Sequence, residues 1–443
     1  MASDTAARPG VMDRRTLLRT TALAGLMAAG GCASGDDDAV TFFFQARPEE
    51  ARARQRIIDE FQRRRPDIRI RTLMSGPDPL QQMLTYCAGG KCPDVLMAWE
   101  LLYAGLADRG VLVDLREFLD REPDYAARLR ADGYASLRDT FGWDGGQYAL
   151  PEQWSGVFVY YNRKLFEQAG IRPPTRWSEA WSFEEFLAAA QALTHADGDG
   201  HARQWGFVDA WVPYFSAALF GMNNGTEWFS PPVRPTRANL GDARFAAGFQ
   251  FYADLAVRHR VAPSVGDRQS VSAQDLFRSG RAAMLVGGHW LYSEFAGHDG
   301  LDFDVTVLPV GPSGGPGAVT DIGSTGLAIA AASPRREQAW EFVKFATGPE
   351  GQAIIAESGL FVPVLRSAME SPGFAAAHPT LRDLAVFTEG PEHSRPLAVT
   401  PRWGKVEALL ERGCNRVLRG AATAASLGGQ TSADIDRVLR AAV

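Results

Sequence analysis

The residues with the most chemistry to offer are the eleven tryptophans. An indole presents a wide apolar face and one N–H donor, so indoles set beside polar groups can hold a ring by stacking without breaking any bond. Motifs for harder chemistry fail on inspection. Asp197-Gly198-Asp199-Gly200-His201 has the opening of a calcium loop, but the position needing a bidentate Glu is Val208, and the segment is read as a polar turn. The seven His show no zinc spacing, and Gly311–Gly317 lacks the Lys-Ser/Thr of a phosphate loop. No metal and no cofactor is therefore expected. Cys87-Ala-Gly-Gly-Lys-Cys92 is a short, glycine-bearing loop able to close as a disulfide. A redox or metal pair is the weaker reading, because the spacing is not C-x-x-C. Cys414 falls in a helical pattern and reads as a buried thiol.

The chain that must position these groups has 443 residues, 46% of them hydrophobic and 22% charged, the balance of a globular protein with two or three cores. A net charge of −6 argues against a nucleic-acid footprint. No apolar run reaches the ~18–20 residues that span a bilayer. At the N-terminus, Arg14-Arg15 precede an apolar stretch from Thr20 to Gly31, and small residues lead into Cys32. That order reads as a signal peptide over residues 1–31, twin-arginine in character, with Cys32 as the lipidated residue and 32–39 as its tether. Losing residues 1–31, with four Arg and two Asp, would take the net charge from −6 to −8.

Val40 to Phe44 is a short apolar run suited to a buried strand, and Ala53, Ile57 and Phe61 follow at helical spacing until Pro66. Ile68–Arg71 and Val95–Met97 read as further strands, so the order implies parallel βαβ units. Val157–Tyr161 is a clear strand. Ser182-Phe183-Glu184-Glu185 is a capping box, and Phe303–Leu308 and Leu327–Ala330 are strand candidates. Ser333-Pro334 is expected to start a helix, with others at Lys405–Leu418 and Ser432–Ala442.

Several stretches together resemble the extracellular solute-binding proteins of bacterial ABC importers, the sugar-binding family that includes maltose-binding protein. Ala149-Leu150-Pro151 with Tyr160-Tyr161-Asn162-Arg163-Lys164-Leu165-Phe166 is similar to that family's crossover strand. Phe277-Arg278-Ser279-Gly280-Arg281-Ala282-Ala283-Met284 and Gly288-His289-Trp290 resemble its F-x-x-G-x-A-A-M…G-x-W signature. Thr320–Ile329, Ser333-Pro334 and Trp340–Phe345 resemble its return crossover and next helix. The likeness implies an α/β fold of two lobes with a ligand cleft between them, joined by crossover segments. Lobe 1 is expected from residues 40–150 plus 301–345, and lobe 2 from 151–300 plus 346–443. It implies no catalysis. The implied partners are a small mono- or oligosaccharide, two permease subunits with their ATPase, and the membrane through the lipid anchor. Nucleic acid is not among them, and the chain is expected to be a monomer.

The candidate contacts follow from both readings. Trp99 and Glu100 end a strand, and strand C-termini face the crevice of open α/β sheets. Gln45 follows the first strand and could bond a hydroxyl or serve only the turn. The resemblance points to Trp290 and Trp403 as stacking rings, to Glu152 and Trp154 near the hinge, and to Trp211 and Tyr214 in the second lobe. Gly323 and Ser324 either let ligand approach the backbone or merely allow a bend. Arg402 could hold hydroxyls or an anion, or form a surface ion pair. The expected role is thus a lipid-anchored sugar receptor of an importer. The alternatives are the same fold binding a sugar phosphate such as glycerol-3-phosphate or another polar metabolite, and a secreted glycoside-acting enzyme, which needs two carboxylates about 5–9.5 Å apart.

Overall fold

Two five-stranded sheets divide the work of the chain, as seen in a computed structural model that describes residues 38–76, 78–197, 202–264 and 271–441. The expected signal peptide, Cys32 and residues 198–201 of the expected polar turn lie outside the described residues. The first sheet runs Ile70–Met74, Val40–Phe44, Val95–Trp99, Thr325–Ile329, Leu150–Gln153. Its first three strands are parallel, as the βαβ pattern implies. Thr325–Ile329 returns antiparallel, with Thr325 opposite Trp99. The second sheet runs Phe303–Thr306, Val157–Asn162, Ala282–Gly288, Ala202–Asp209, His195–Ala196. Tyr161 stands opposite Met284, and Ala282–Gly288 lies parallel to Ala202–Asp209.

Local sequence sets the helices around these sheets. Helix Pro48–Arg64 begins on a proline, carries Glu49 and Glu50 in its first turn and Arg63 and Arg64 in its last, and buries Ala53, Ile57, Ile58 and Phe61 against the first sheet. Ser182 and Glu185 form the expected capping box: the Glu185 amide donates to the Ser182 hydroxyl at 3.2 Å, and the Ser182 amide donates to the Glu185 carboxylate at 2.7 Å. Cys87 and Cys92 are joined as a disulfide, and Cys414 is buried and free. Ser333 does not cap a helix. Its hydroxyl donates to Asp94 and accepts from the Arg335 amide, and the helix starts at Arg336.

The expected lobe boundaries shift in three places, the first being residues 151–153, which belong to strand Leu150–Gln153 of the first sheet. Phe303–Thr306 pairs antiparallel with Val157–Asn162, which puts it in the second lobe's sheet rather than the first. Alternation marks a strand but not its partner, and the ladder chooses the neighbour. Helix Pro349–Ser358 returns to the first lobe, where Ile355 is buried in the same cluster as Ile57, Trp340 and Val343. The chain therefore passes between sheets at Trp154–Gly156 and again at Ile322–Ser324. The Val157 amide donates to the Thr320 hydroxyl at 2.8 Å and to the Asp321 carboxylate at 3.1 Å, tying the two passages together. Gly323 sits at φ +50°, and a Cβ there would stand 2.3 Å from the Ser155 carbonyl oxygen, so the close approach of the strands requires glycine.

Candidate functional site

Beside the two passages lies a cavity of about 440 Å³. The first lobe supplies Gln45, Glu50, Trp99, Glu100, Leu101 and Leu102 to its wall, and the second supplies Trp211, His289, Trp290, Trp403 and Glu407. The passages contribute Gln153, Ser155, Asp321, Gly323, Ser324 and Thr325. Each arrives by a local rule. Trp99 and Glu100 come off the C-terminal end of a parallel strand, and Trp290 follows Gly288, where a Cβ would stand 1.9 Å from the indole. Trp403 opens helix Trp403–Leu418, and Glu407 is one turn further on the same face.

The rings are ordered by stacking. Phe215 lies between Trp211, at 5.0 Å and 18°, and Trp403, at 5.8 Å and 19°. Trp290 is tilted 54° to Trp211 at 6.4 Å. Trp99, Trp211 and Trp290 are half-buried and so keep surface for a guest, whereas Trp403 is buried with only an edge left to the cavity.

Polar groups in the wall are incompletely satisfied. Gln153 Oε1, Ser155 Oγ, His289 Nδ1 and Thr325 Oγ1 are buried and find no hydrogen-bond partner in the protein. A buried polar atom left unpaired costs on the order of 1–3 kcal/mol, so four in one cavity wall give a polar guest bonds to complete. On the floor, the Ser324 amide donates to Glu100 at 2.7 Å. Burial, then the charge of Asp321, push the Glu100 carboxyl up to about 8. Burial pushes the Asp321 carboxyl up as well, against the hydrogen bonds it receives from Thr320 and Val157. Glu407 accepts from the Tyr214 hydroxyl at 2.8 Å. Glu50 accepts from Arg47 at 2.9 Å.

Of the residues singled out from sequence, Gln45, Trp99, Glu100, Trp154, Trp211, Trp290, Gly323, Ser324 and Trp403 are brought to this wall. Three expectations need correction. Glu152 faces away from the cavity into a buried ion pair, its carboxylate accepting from Arg54 at 2.9 Å, with both side chains almost fully buried. Arg402 is turned toward the C-terminus, where its guanidinium donates to the carbonyl oxygens of Val438, Leu439 and Ala441. Tyr214 is packed in the core and reaches the site only through Glu407. Trp154 also spends its indole on the core: it is fully buried, packs edge-on against Phe158 and donates to the Ser394 hydroxyl at 3.1 Å. Sequence reasoning missed Asp321, Thr325, Gln153, Ser155 and Glu407. Glu407 was accessible to it as the i+4 neighbour of Trp403. The others sit on passages whose bend no periodicity encodes.

Comparison with known proteins places this geometry. Residues 47–353 match the family described as bacterial extracellular solute-binding protein. An uncharacterised lipoprotein from the oleD 5′ region of Streptomyces antibioticus is 25% identical over 361 residues, covering 80% of this chain and 77% of that one. The diacetylchitobiose-binding protein DasA of Streptomyces coelicolor is 24% identical over 333 residues, 74% of this chain and 72% of its own. Among solved structures, the ABC substrate-binding protein Lmo0181 of Listeria monocytogenes, in complex with cycloalternan, superposes with a TM-score of 0.78 at 24% identity. That match covers 90% of this chain and 98% of the other, and it shows the shared two-lobe fold.

Proposed function

The chain belongs to the bacterial extracellular solute-binding proteins, and from that premise we propose that its solute is a small carbohydrate, captured outside the cytoplasmic membrane and passed unaltered to the permease of an ABC importer. The observation that carries this reading is the composition of one cavity: half-buried indoles of Trp99, Trp211 and Trp290 beside the unpartnered Gln153 Oε1, Ser155 Oγ and Thr325 Oγ1. A sugar offers an apolar C–H face to an indole and hydroxyls to the polar rim, which is the pairing this wall asks for. A guest touching both lobes stabilises the closed form, so affinity and closure are one free-energy change, and the closed form is what permease subunits can distinguish. The small-residue run into Cys32 supports anchoring by lipid at the membrane surface. A sugar phosphate is disfavoured, because the cavity's charged groups are carboxylates and Arg402 points elsewhere.

Thermal unfolding against a panel of sugars, polyols and sugar phosphates tests the reading. A true guest at a hundredfold excess over its Kd adds about 2.7 kcal/mol of stability. A panel in which no carbohydrate raises the Tm would sink it. Products appearing on incubation with oligosaccharides would point instead to a glycoside-acting enzyme.

A further inference from the structure

Glu100 and Asp321 differ from the other acids of the cleft. Glu50 has a cation of its own in Arg47, and Glu407 is held by the Tyr214 hydroxyl. Glu100 accepts from the amide of Ser324, three residues beyond Asp321 in the same passage, both acids line the same cavity, and among the described residues no Lys or Arg acts on either. Their donors from the protein are neutral: the Ser324 amide for Glu100, and the Val157 amide and Thr320 hydroxyl for Asp321. The other titratable group facing Glu100 is the Tyr103 phenol, itself held neutral by burial and by that carboxylate. Burial and the lack of a counter-charge both resist ionising two such carboxyls together, so the pair favours retaining a proton until a cation arrives.

Building on the carbohydrate reading, we propose that the guest is an amine-bearing sugar whose ammonium group sits against Glu100 and Asp321, in the same cavity as the indoles of Trp99, Trp211 and Trp290. The ammonium supplies the missing charge, with its N–H groups donating to the two carboxylates. The proton the pair held passes to bulk solvent, so the complex keeps both carboxylates ionised. The negative faces of the indoles favour the same charge. Thr325 Oγ1, buried and unpartnered in this wall, is an independent sign that a polar guest belongs here.

Calorimetric titration at pH 6.5, where the free amines are almost wholly ammonium, decides it with matched sets: glucosamine and its β-1,4-linked disaccharide, their N-acetyl counterparts, and glucose and cellobiose. The expected result is at least tenfold tighter binding of a free-amine sugar than of its N-acetyl and hydroxyl counterparts. The binding heat should vary with the buffer's ionisation enthalpy in the sense of proton release. Glu100→Gln should lose that preference, so that the amine and neutral members bind it within about threefold of each other. The ligand comparison on the unaltered protein stands even if this variant folds poorly. Equal or tighter binding of the neutral members overturns the amine proposal and leaves the carbohydrate reading intact. Absence of binding by every member, amine and neutral alike, overturns both.

Discussion

Arg47, at the start of the first lobe's leading helix, donates a hydrogen bond of 2.6 Å to the backbone carbonyl oxygen of Trp290, which follows a strand of the second lobe. The same guanidinium is paired with Glu50, whose carboxylate lines the cavity. A contact made across the cleft exists only while the lobes are together, so it biases the equilibrium toward closure. Arg47 is partly exposed, which leaves a net value of about 1 kcal/mol. Arg47→Ala is expected to weaken solute binding about fivefold and to raise the radius of gyration of the solute-free protein, read by solution scattering. An unchanged profile with unchanged affinity would show that the bond does not bias closure.

The stacked row of Trp211, Phe215 and Trp403 separates rings that hold the fold from rings that face the guest. Trp403→Ala removes a buried ring packed on Phe215 and Trp228 and is expected to cost about 3–5 kcal/mol of stability. Trp290→Ala removes a half-buried ring at the cleft. It should leave the Tm nearly in place and reduce affinity by tenfold or more. Denaturant unfolding alongside titration distinguishes the two effects, and a Trp290→Ala protein that binds normally would remove this ring from the site.

Glu152 tests the correction made by the structure. With Arg54 it forms a buried pair, and the Arg54 guanidinium also packs over Phe361 at 4.9 Å. Taking one partner from such a pair leaves the other charge uncompensated, at a cost of about 3–5 kcal/mol. Glu152→Gln is therefore expected to lower stability by that order without altering affinity for the solute in the folded fraction. A specific loss of affinity at unchanged stability would return Glu152 to the list of ligand contacts.

The acid pair makes stability depend on pH in a stated direction. Burial and the nearby Asp321 push the Glu100 carboxyl up to about 8 in the folded protein, well above the ordinary carboxylic acid range of an unfolded chain. Between those values the folded state binds more protons than the unfolded chain, so this group's contribution falls as pH rises through the window and levels off above it. The solute-free protein should therefore lose Tm from pH 5 to pH 8 faster than Glu100→Gln does. Parallel slopes for the two proteins would show that Glu100 is ionised throughout.

Most of the first lobe was legible in the chain because its signals are local. The apolar run Val40–Phe44 and the spacing of Ala53, Ile57 and Phe61 mark a buried strand and a one-faced helix without reference to anything distant. Ser182 and Glu185 announce a helix start by a contact only three residues long. Phe303–Thr306 was legible as a strand but not as a member of the second sheet. Glu152 and Arg402 show the same limit at the site. Each was a polar residue near the right feature, and which way it points is set by Arg54, 98 residues away, and by the chain's last helix.

Residue order alone determined the α/β class, the strand-end position of Trp99 and Glu100 and the supply of indoles, since these depend on neighbours a few residues apart. Tertiary structure alone decided that Glu100 and Asp321 line one cavity, that Arg47 reaches Trp290, and that Thr325, Gln153 and Ser155 stand in the same wall with polar atoms unpaired. Those relations join segments up to 243 residues apart. They are fixed by which backbones approach at the two passages, where Gly323 permits a contact that any side chain would block.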